Sequence, residues 1–398
     1  MSDVSPSSFS MTRTELRTSV SLAFIFALRM LGLFLILPVF ALYAKTLSGG
    51  ESAILVGLAM GMYGLTQSIG QIPLGMASDK YGRKPIILLG LLLFAVGSVV
   101  AACASHIGWV IVGRAIQGAG AISAAITAFI ADATRPECRT RAMAMVGISI
   151  GLTFVFSLVV SPMLYQVIGM SGIFILTGVL SVLGMIWVRY GIPDVPQVVA
   201  ERVSLMVVLR NPELLRLNYG VFCLHAMQMA MFLVIPQALV DTLGLPIAEH
   251  WKIYLGVMFV SFILMIPLII VSEKKGKTKP VFIGMIMLLL AAQWGFAQYL
   301  GNGLGLVLLL FLFFVAFNTM EASLPSLVSR LAPREAKGTA LGVYNTLQSL
   351  GLFCGGLLGG VLKSNWGVSS IFILGLVFSA VWLIIAFGMQ NLSSRNMT

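Results

Sequence analysis

The stretch GMASDKYGRKP, residues 75–85, sets four charged side chains and the glycines Gly75 and Gly82 between two apolar runs, 53–77 and 84–104. A bilayer core about 30 Å thick is crossed by roughly 20 helical residues, at about 1.5 Å each. Both runs are long enough. A short basic turn between two such runs joins a pair of membrane spans on one side of the bilayer.

On either side of that hairpin, the same alternation repeats to both ends of the chain. Of the 398 residues, 59% are hydrophobic and 10% charged, whereas a soluble domain holds about 45 to 50% apolar and about 25% charged residues. The mean hydropathy is +1.00. Twelve stretches qualify as spans: 18–43, 53–77, 84–104, 107–132, 142–166, 171–190, 213–239, 253–272, 280–299, 304–329, 339–362 and 368–389. The fold class is therefore an all-α membrane protein of twelve transmembrane helices, embedded in the lipid bilayer. The polar N-terminus leads into an apolar run longer than a signal-peptide core, without a small-residue cleavage pattern, which predicts a retained first helix.

A net charge of +11 with a pI near 9.7 would suit nucleic acid, so the placement of the basic residues decides the matter. Of the 25 Lys and Arg residues, 20 fall in loops on the side of the termini. Lys45, Lys252 and Lys363 face the other way, and Arg29 and Arg114 lie inside spans. Such a bias places both termini in the cytoplasm and accounts for the basic character without nucleic acid. Cys103, Cys138, Cys223 and Cys354 have no CxxC or Cys/His ligand spacing, so neither a disulfide framework nor a metal site is expected.

The longest polar segment between spans, 191–212, divides the chain into an N-terminal bundle of six spans, 1–190, and a C-terminal bundle of six, 213–398. An internal repeat with an offset near 196 supports two pseudo-symmetric halves. RTRAMA at 139–144 resembles KGTALG at 337–342; Pro38 and Pro236 end similar apolar runs, with Arg29 and His225 at comparable depth before them. Parallel halves of this kind are a transporter architecture whose site lies at the midplane between them.

Charge inside a membrane costs about 2.5 to 3.5 kcal/mol on insertion scales, which makes such residues functional candidates. Glu321 in span 10 has Asn318 on its helical face. A carboxyl there serves to load and release a proton, or else forms a static pair with an arginine. Arg29 is the natural opposing charge, with a purely structural pairing equally open. His225, with Gln228 one turn on, either titrates or is simply hydrogen-bonded. Tyr63, Gln67 and Gln71 in span 2, and Tyr344, Asn345 and Gln348 in span 11, form polar stripes that line a cavity or bind neighbouring helices.

The loop after span 2, with Gly75, Asp79, Gly82, Arg83 and Lys84, resembles the GxxxDxxGRK signature of the major facilitator superfamily. RAIQGAGA, Arg114 to Ala121, resembles the RxxQGxGA signature of the superfamily's drug:proton antiporter branch. That resemblance implies a proton-assisting role for Arg114, with Gln117 on the same face. It also implies a conformational latch in which Asp132 meets Arg83, joining spans 2, 4 and 11. The branch's glycine-rich GxxxGPxxGG run is incomplete here: Gly147 and Gly151 are followed only later by Ser161 and Pro162. Across nearly the whole chain, RMLG at 29–32, CLH at 223–225 and EHWK at 249–252 resemble the YajR-like group of efflux proteins. Its C-terminal soluble domain has no counterpart in this sequence.

Two motifs are decoys. Gly276–Lys277–Thr278 lacks the upstream glycine of a phosphate-binding loop. The GxSxG at 147–151 lies within a span, where a hydrolase needs a strand and sharp turn. Asn391 and Asn396 fit glycosylation triplets in a tail expected to be cytoplasmic. With no catalytic constellation, an enzyme is not expected. The resemblance implies a monomer in a bacterial inner membrane, exporting small amphipathic or hydrophobic molecules by alternating access, with no cofactor beyond the proton gradient. Proton-coupled uptake or facilitated diffusion of a nutrient is the alternative within transport. A scaffold or sensor that moves no solute is the alternative outside it.

Overall fold

The computed structural model describes residues 11–135, 137–195 and 204–390. Part of the expected linker 191–212, and the expected tail with Asn391 and Asn396, lie outside these residues. Among the described residues, ten continuous helical stretches are long and apolar enough to cross a membrane. An eleventh span is the pair Pro212–Phe232 and Ile235–Leu243, bent by 42°. The twelfth is hidden in the 52-residue helix Arg139–Tyr190, which at about 1.5 Å per residue would be more than twice the thickness of a bilayer core. Gly169, at φ 65° and ψ −177°, turns the chain inside it. Only glycine enters that region of backbone space without strain, so spans 5 and 6 form a hairpin.

The twelve spans are span 1 (Arg13–Phe34 and Leu37–Tyr43), span 2 (Ala53–Tyr81), span 3 (Arg83–Ala102), span 4 (Ile107–Ala119 and Ser123–Ala133), spans 5 and 6 within Arg139–Tyr190, span 7 as above, span 8 (His250–Lys274), span 9 (Thr278–Tyr299), span 10 (Gly303–Leu331), span 11 (Lys337–Trp366) and span 12 (Ser369–Phe387). Their outer faces carry exposed Phe24, Ile69, Leu152, Phe259 and Ile384, which belong against lipid chains rather than water. Span 1 starts earlier than expected because Thr12 and Glu15 form a capping box, each side chain bonding the other's backbone N–H.

The internal repeat is visible in the backbone. Six glycines are the positive-φ residues among the described ones, and they pair as Gly49 with Gly244, Gly82 with Gly276 and Gly169 with Gly367. Spans 1 and 7 both break two residues before a proline, at 35–36 and 233–234. Pro38 and Pro236 thus do not end their apolar runs as expected. Each sits in the first turn of a second helical piece, where its missing N–H costs nothing.

Span 4 also departs from expectation, breaking at 120–122. Its neighbours come too close for side chains: a Cβ on Gly118 would lie 2.2 Å from the Tyr63 carbonyl oxygen, and one on Gly120 would lie 2.3 Å from that of Gly90. The glycines of RAIQGAGA therefore let spans 2, 3 and 4 touch backbone to backbone. The two halves meet in the same manner. A Cβ on Gly57 would lie 2.1 Å from the carbonyl oxygen of Gly356, which presses span 2 against span 11 in the half of the molecule away from the 2–3 loop. On that same face Lys363 Nζ donates to the Leu233 carbonyl at 3.1 Å, and Lys45 reaches across the halves to Gln237.

Candidate functional site

Two polar centres lie at mid-membrane depth, one in each half. The C-terminal centre is built around Glu321. Its Oε1 accepts from Gln348 Nε2 at 3.3 Å, and its Oε2 lies 3.5 Å from His225 Nε2. Gln348 Nε2 also stands 2.7 Å from His225 Nε2, and His225 Nδ1 stands 3.0 Å from the Val221 carbonyl oxygen. A carbonyl only accepts and an amide NH2 only donates. Nδ1 therefore carries the proton, and Nε2 is the lone-pair acceptor of a neutral imidazole. One amide group thus donates to a histidine and a carboxylate on two other spans. The His225 side chain is 5% exposed, whereas that of Glu321 is 28% exposed.

The expected ion pair between Glu321 and Arg29 is not made. Arg29 Nη1 instead donates to Ser123 Oγ at 3.0 Å, in span 4. Arg114 does not reach Glu321 either. Its Nη1 donates to Gln117 Oε1 at 3.0 Å, and Gln117 Nε2 passes the chain on to Ser98 Oγ at 2.8 Å. Both guanidinium carbons stand over one ring, that of Tyr63, at 5.5 Å for Arg29 and 4.8 Å for Arg114. This is the N-terminal centre. Spans 1, 2 and 4 supply it because the Gly118 contact brings Tyr63 against the arginine-bearing face of span 4.

The remaining expected residues divide. Gln67 and Gln71 are buried with Tyr63 on the inner face of span 2, and Gln228 is buried near His225 in span 7. Asn318 leaves the Glu321 face and donates to Ser261 Oγ of span 8 at 2.9 Å. Of the span 11 stripe, Gln348 joins the centre and Tyr344 is buried, while Asn345 stays half-buried and offers its carbonyl to Ser349. The decoy Ser149 is spent on helix contact, donating to the Ala23 and Val146 carbonyls.

A third group lies at the end of the molecule bearing the 2–3 loop. Arg83 Nε donates to Asp132 Oδ2 at 2.8 Å, its Nη1 donates to Ser78 Oγ at 2.9 Å, and it also pairs with Asp79. Gly82, at φ 102°, makes the turn that lets Arg83 start span 3 facing span 4. A Cβ on Gly75 would meet Ala124 at 3.2 Å, so spans 2 and 4 touch one turn below. Span 11, expected as a third party, runs beside the second piece of span 4. Lys84 leaves the group for Asp194 at 2.7 Å, and that ammonium holds the Asp194 carboxyl below its usual range.

Sequence reasoning missed Ser123, Ser98 and Ser78. A signal for Ser123 existed: it lies one repeat before Glu321, as Arg29 lies one repeat before His225.

A family model described as Major Facilitator Superfamily matches residues 22–356. The chain is 43% identical over 389 residues to the inner membrane transport protein YajR of Escherichia coli (strain K12), covering 96% of this chain and 85% of that protein. It is 27% identical to the multidrug resistance protein MdtH of Yersinia enterocolitica, over 83% of this chain and 81% of that one. Among solved structures, a bacterial homolog to the human lysosomal transporter Spinster, in an inward-facing and occupied conformation, superposes with TM-score 0.74 at 13% identity. That match covers 95% of this chain and 97% of the other.

Proposed function

We propose that this chain, which belongs to the Major Facilitator Superfamily, is a proton-coupled secondary active transporter that exports a small amphipathic solute by alternating access. It is a multi-pass membrane transporter, and not an enzyme, by family and fold. The observation that carries the proton reading is the Glu321, His225 and Gln348 centre. Glu321 is the one acid away from the ends of the expected spans, and its side chain is only partly covered, at 28% exposed.

The coupling follows from the hydrogen bonds. With His225 neutral, Gln348 donates to both partners. A proton on His225 Nε2 turns that nitrogen into a donor, which attracts Glu321 Oε2 and expels the Gln348 amide. A proton on Glu321 removes the charge that Gln348 holds. Either event releases span 11, the helix whose glycines close against span 2. Protonation in one half thereby changes the contact between the halves. The basic loop faces the cytoplasm in this reading, and inward proton movement yields about 2.3 kcal/mol per charge per 100 mV. The Asp79, Arg83 and Asp132 group holds spans 2, 3 and 4 together in one of the two states. Export rather than uptake is supported by RAIQGAGA and by the similarity to a multidrug resistance protein.

The test is proton flux in proteoliposomes under an imposed pH gradient, screened across candidate solutes, with Glu321→Gln beside the parent. Coupled flux is expected to fall by on the order of 100-fold. Flux unchanged by the substitution would remove Glu321 from the coupling.

A further inference from the structure

The N-terminal centre holds more positive charge than the protein neutralises. Arg29 and Arg114 are each 1% exposed, and Nε and Nη2 of both have no hydrogen-bond partner among the described residues. Their bonded neighbours, Ser123 and Gln117, are uncharged. Glu321 is engaged in the other half by Gln348 and His225. The other acids among the described residues sit at helix ends or in loops: Glu15 and Glu213 in first turns, Asp79, Asp132 and Glu273 in last turns, Asp241 and Glu249 at the far face, and Glu51, Glu137, Asp194 and Glu335 in the connections between spans. Among the described residues, the middle portions of the spans thus carry two permanent cations and a single carboxylate.

A buried guanidinium that cannot lose its proton is tolerated where something completes its hydrogen bonds. Here four N–H-bearing nitrogens are left over around one aromatic ring, and the Tyr63 hydroxyl and the Gln67 side-chain oxygen are unpartnered as well. A static structural cluster would be expected to hold its own acid, as Arg83 does at the latch. We infer that Arg29 and Arg114, over Tyr63, bind the anionic group of the transported solute, a carboxylate or sulfonate on an apolar body. The planar fork of each guanidinium suits two such oxygens. The ring supplies the cation–π contact that holds both forks in place. This assignment rests on the transport reading and adds to it the charge of the solute.

The experiment is equilibrium binding without any gradient, read as thermal stabilisation of the full chain in phosphatidylcholine nanodiscs. Ligand bound to the folded state raises the unfolding midpoint with concentration. The probes are 1-naphthoate and naphthalene-1-sulfonate, with naphthalene-1-methanol and 1-naphthylmethylammonium as neutral and cationic counterparts. Both anions are expected to stabilise the parent and neither counterpart to do so. Arg29→Gln and Arg114→Gln are each expected to weaken anion binding by roughly 30-fold or more, as truncating one partner of a buried charged pair does. Arg29→Lys and Arg114→Lys keep the charge and retain part of the affinity, which separates binding from misfolding.

The inference is overturned if the parent gains nothing from either anion or if the counterparts stabilise it equally. It is also overturned if a monodisperse Arg29→Gln/Arg114→Gln double variant binds the anions as the parent does. Phosphatidylglycerol discs that abolish the anion response would assign the site to lipid headgroups, again overturning it. Glu321→Gln is expected to bind the anions normally. A parent that binds the anions but shows no coupled flux fails the transport reading alone, whereas a parent whose coupled flux is lost in Glu321→Gln but which binds neither anion fails this inference alone.

Discussion

The two halves of this molecule hold the same two positions and fill them with opposite chemistry. In the C-terminal half, span 7 offers His225 to Glu321 of span 10. One repeat earlier, span 1 offers Arg29 to Ser123 of span 4. The break and proline of span 1 correspond to those of span 7, and the turn glycines correspond as well, but span 4 breaks at 120–122 where span 10 runs unbroken from Gly303 to Leu331. A histidine facing a carboxylate can gain or lose a proton at modest cost. An arginine facing a serine cannot. Under the proposed function, one half changes charge and the other keeps it.

That contrast can be broken by exchanging the chemistry. Converting Ser123→Glu gives Arg29 the acid that its counterpart already has. An unpaired buried charge is penalised by about 3 to 5 kcal/mol, so this variant is expected to gain thermal stability on that scale and to lose anion binding, a larger effect than any substitution below. A destabilised variant would mean that Arg29 is already satisfied. Arg29→Met removes the same penalty by removing the cation. It is expected to be neutral or more stable by about 1 to 4 kcal/mol while losing transport, measured as unfolding midpoint against flux.

On the other side, Gln348→Leu removes the amide that holds His225 and Glu321 together. Leaving one buried and one half-buried polar partner unmade costs about 1 to 3 kcal/mol. The expected signature is a shifted pH profile of flux with solute binding retained; a profile identical to the parent would detach Gln348 from coupling.

The latch residues give smaller effects, graded by burial. The Asp132 side chain is 6% exposed and that of Asp79 is 45% exposed, though both pair with Arg83. Asp132→Asn is expected to cost about 2 kcal/mol of stability or more. Asp79→Asn should cost below about 1 kcal/mol, slowing turnover at nearly unchanged solute affinity. The smallest effect belongs to Asp194→Asn, whose partner Lys84 meets it at an 89% exposed carboxylate. Because Lys84 lowers the Asp194 carboxyl from its ordinary value, what stabilisation the pair gives is present above the ordinary carboxylate range and fades as pH falls. High salt should erase it.

How far the sequence could be read depended on whether a feature was set by local chemistry or by contact. Glu321 and the two intramembrane arginines stand out because charge in an apolar run is costly wherever the helices go. Opposite charge alone pairs Arg29 with Glu321, and that pair is not made, because the two lie in different halves and each half satisfies or fails to satisfy its own charges. Helical spacing places Asn318 with Glu321, yet span 8 draws it away through Ser261. Spacing sets a face only to within the width of a helix.

By itself, the sequence determined twelve spans, two halves and the loop that joins spans 2 and 3, because hydropathy and glycine placement act over a few neighbouring residues and the repeat is a match between two such local patterns. Tertiary structure decided that Tyr63 lies under both arginines, that Gln348 bridges His225 to Glu321, and that spans 2 and 11 close along glycine. Those facts depend on how near two backbones approach, a distance set by whichever side chains are missing between helices far apart in the chain.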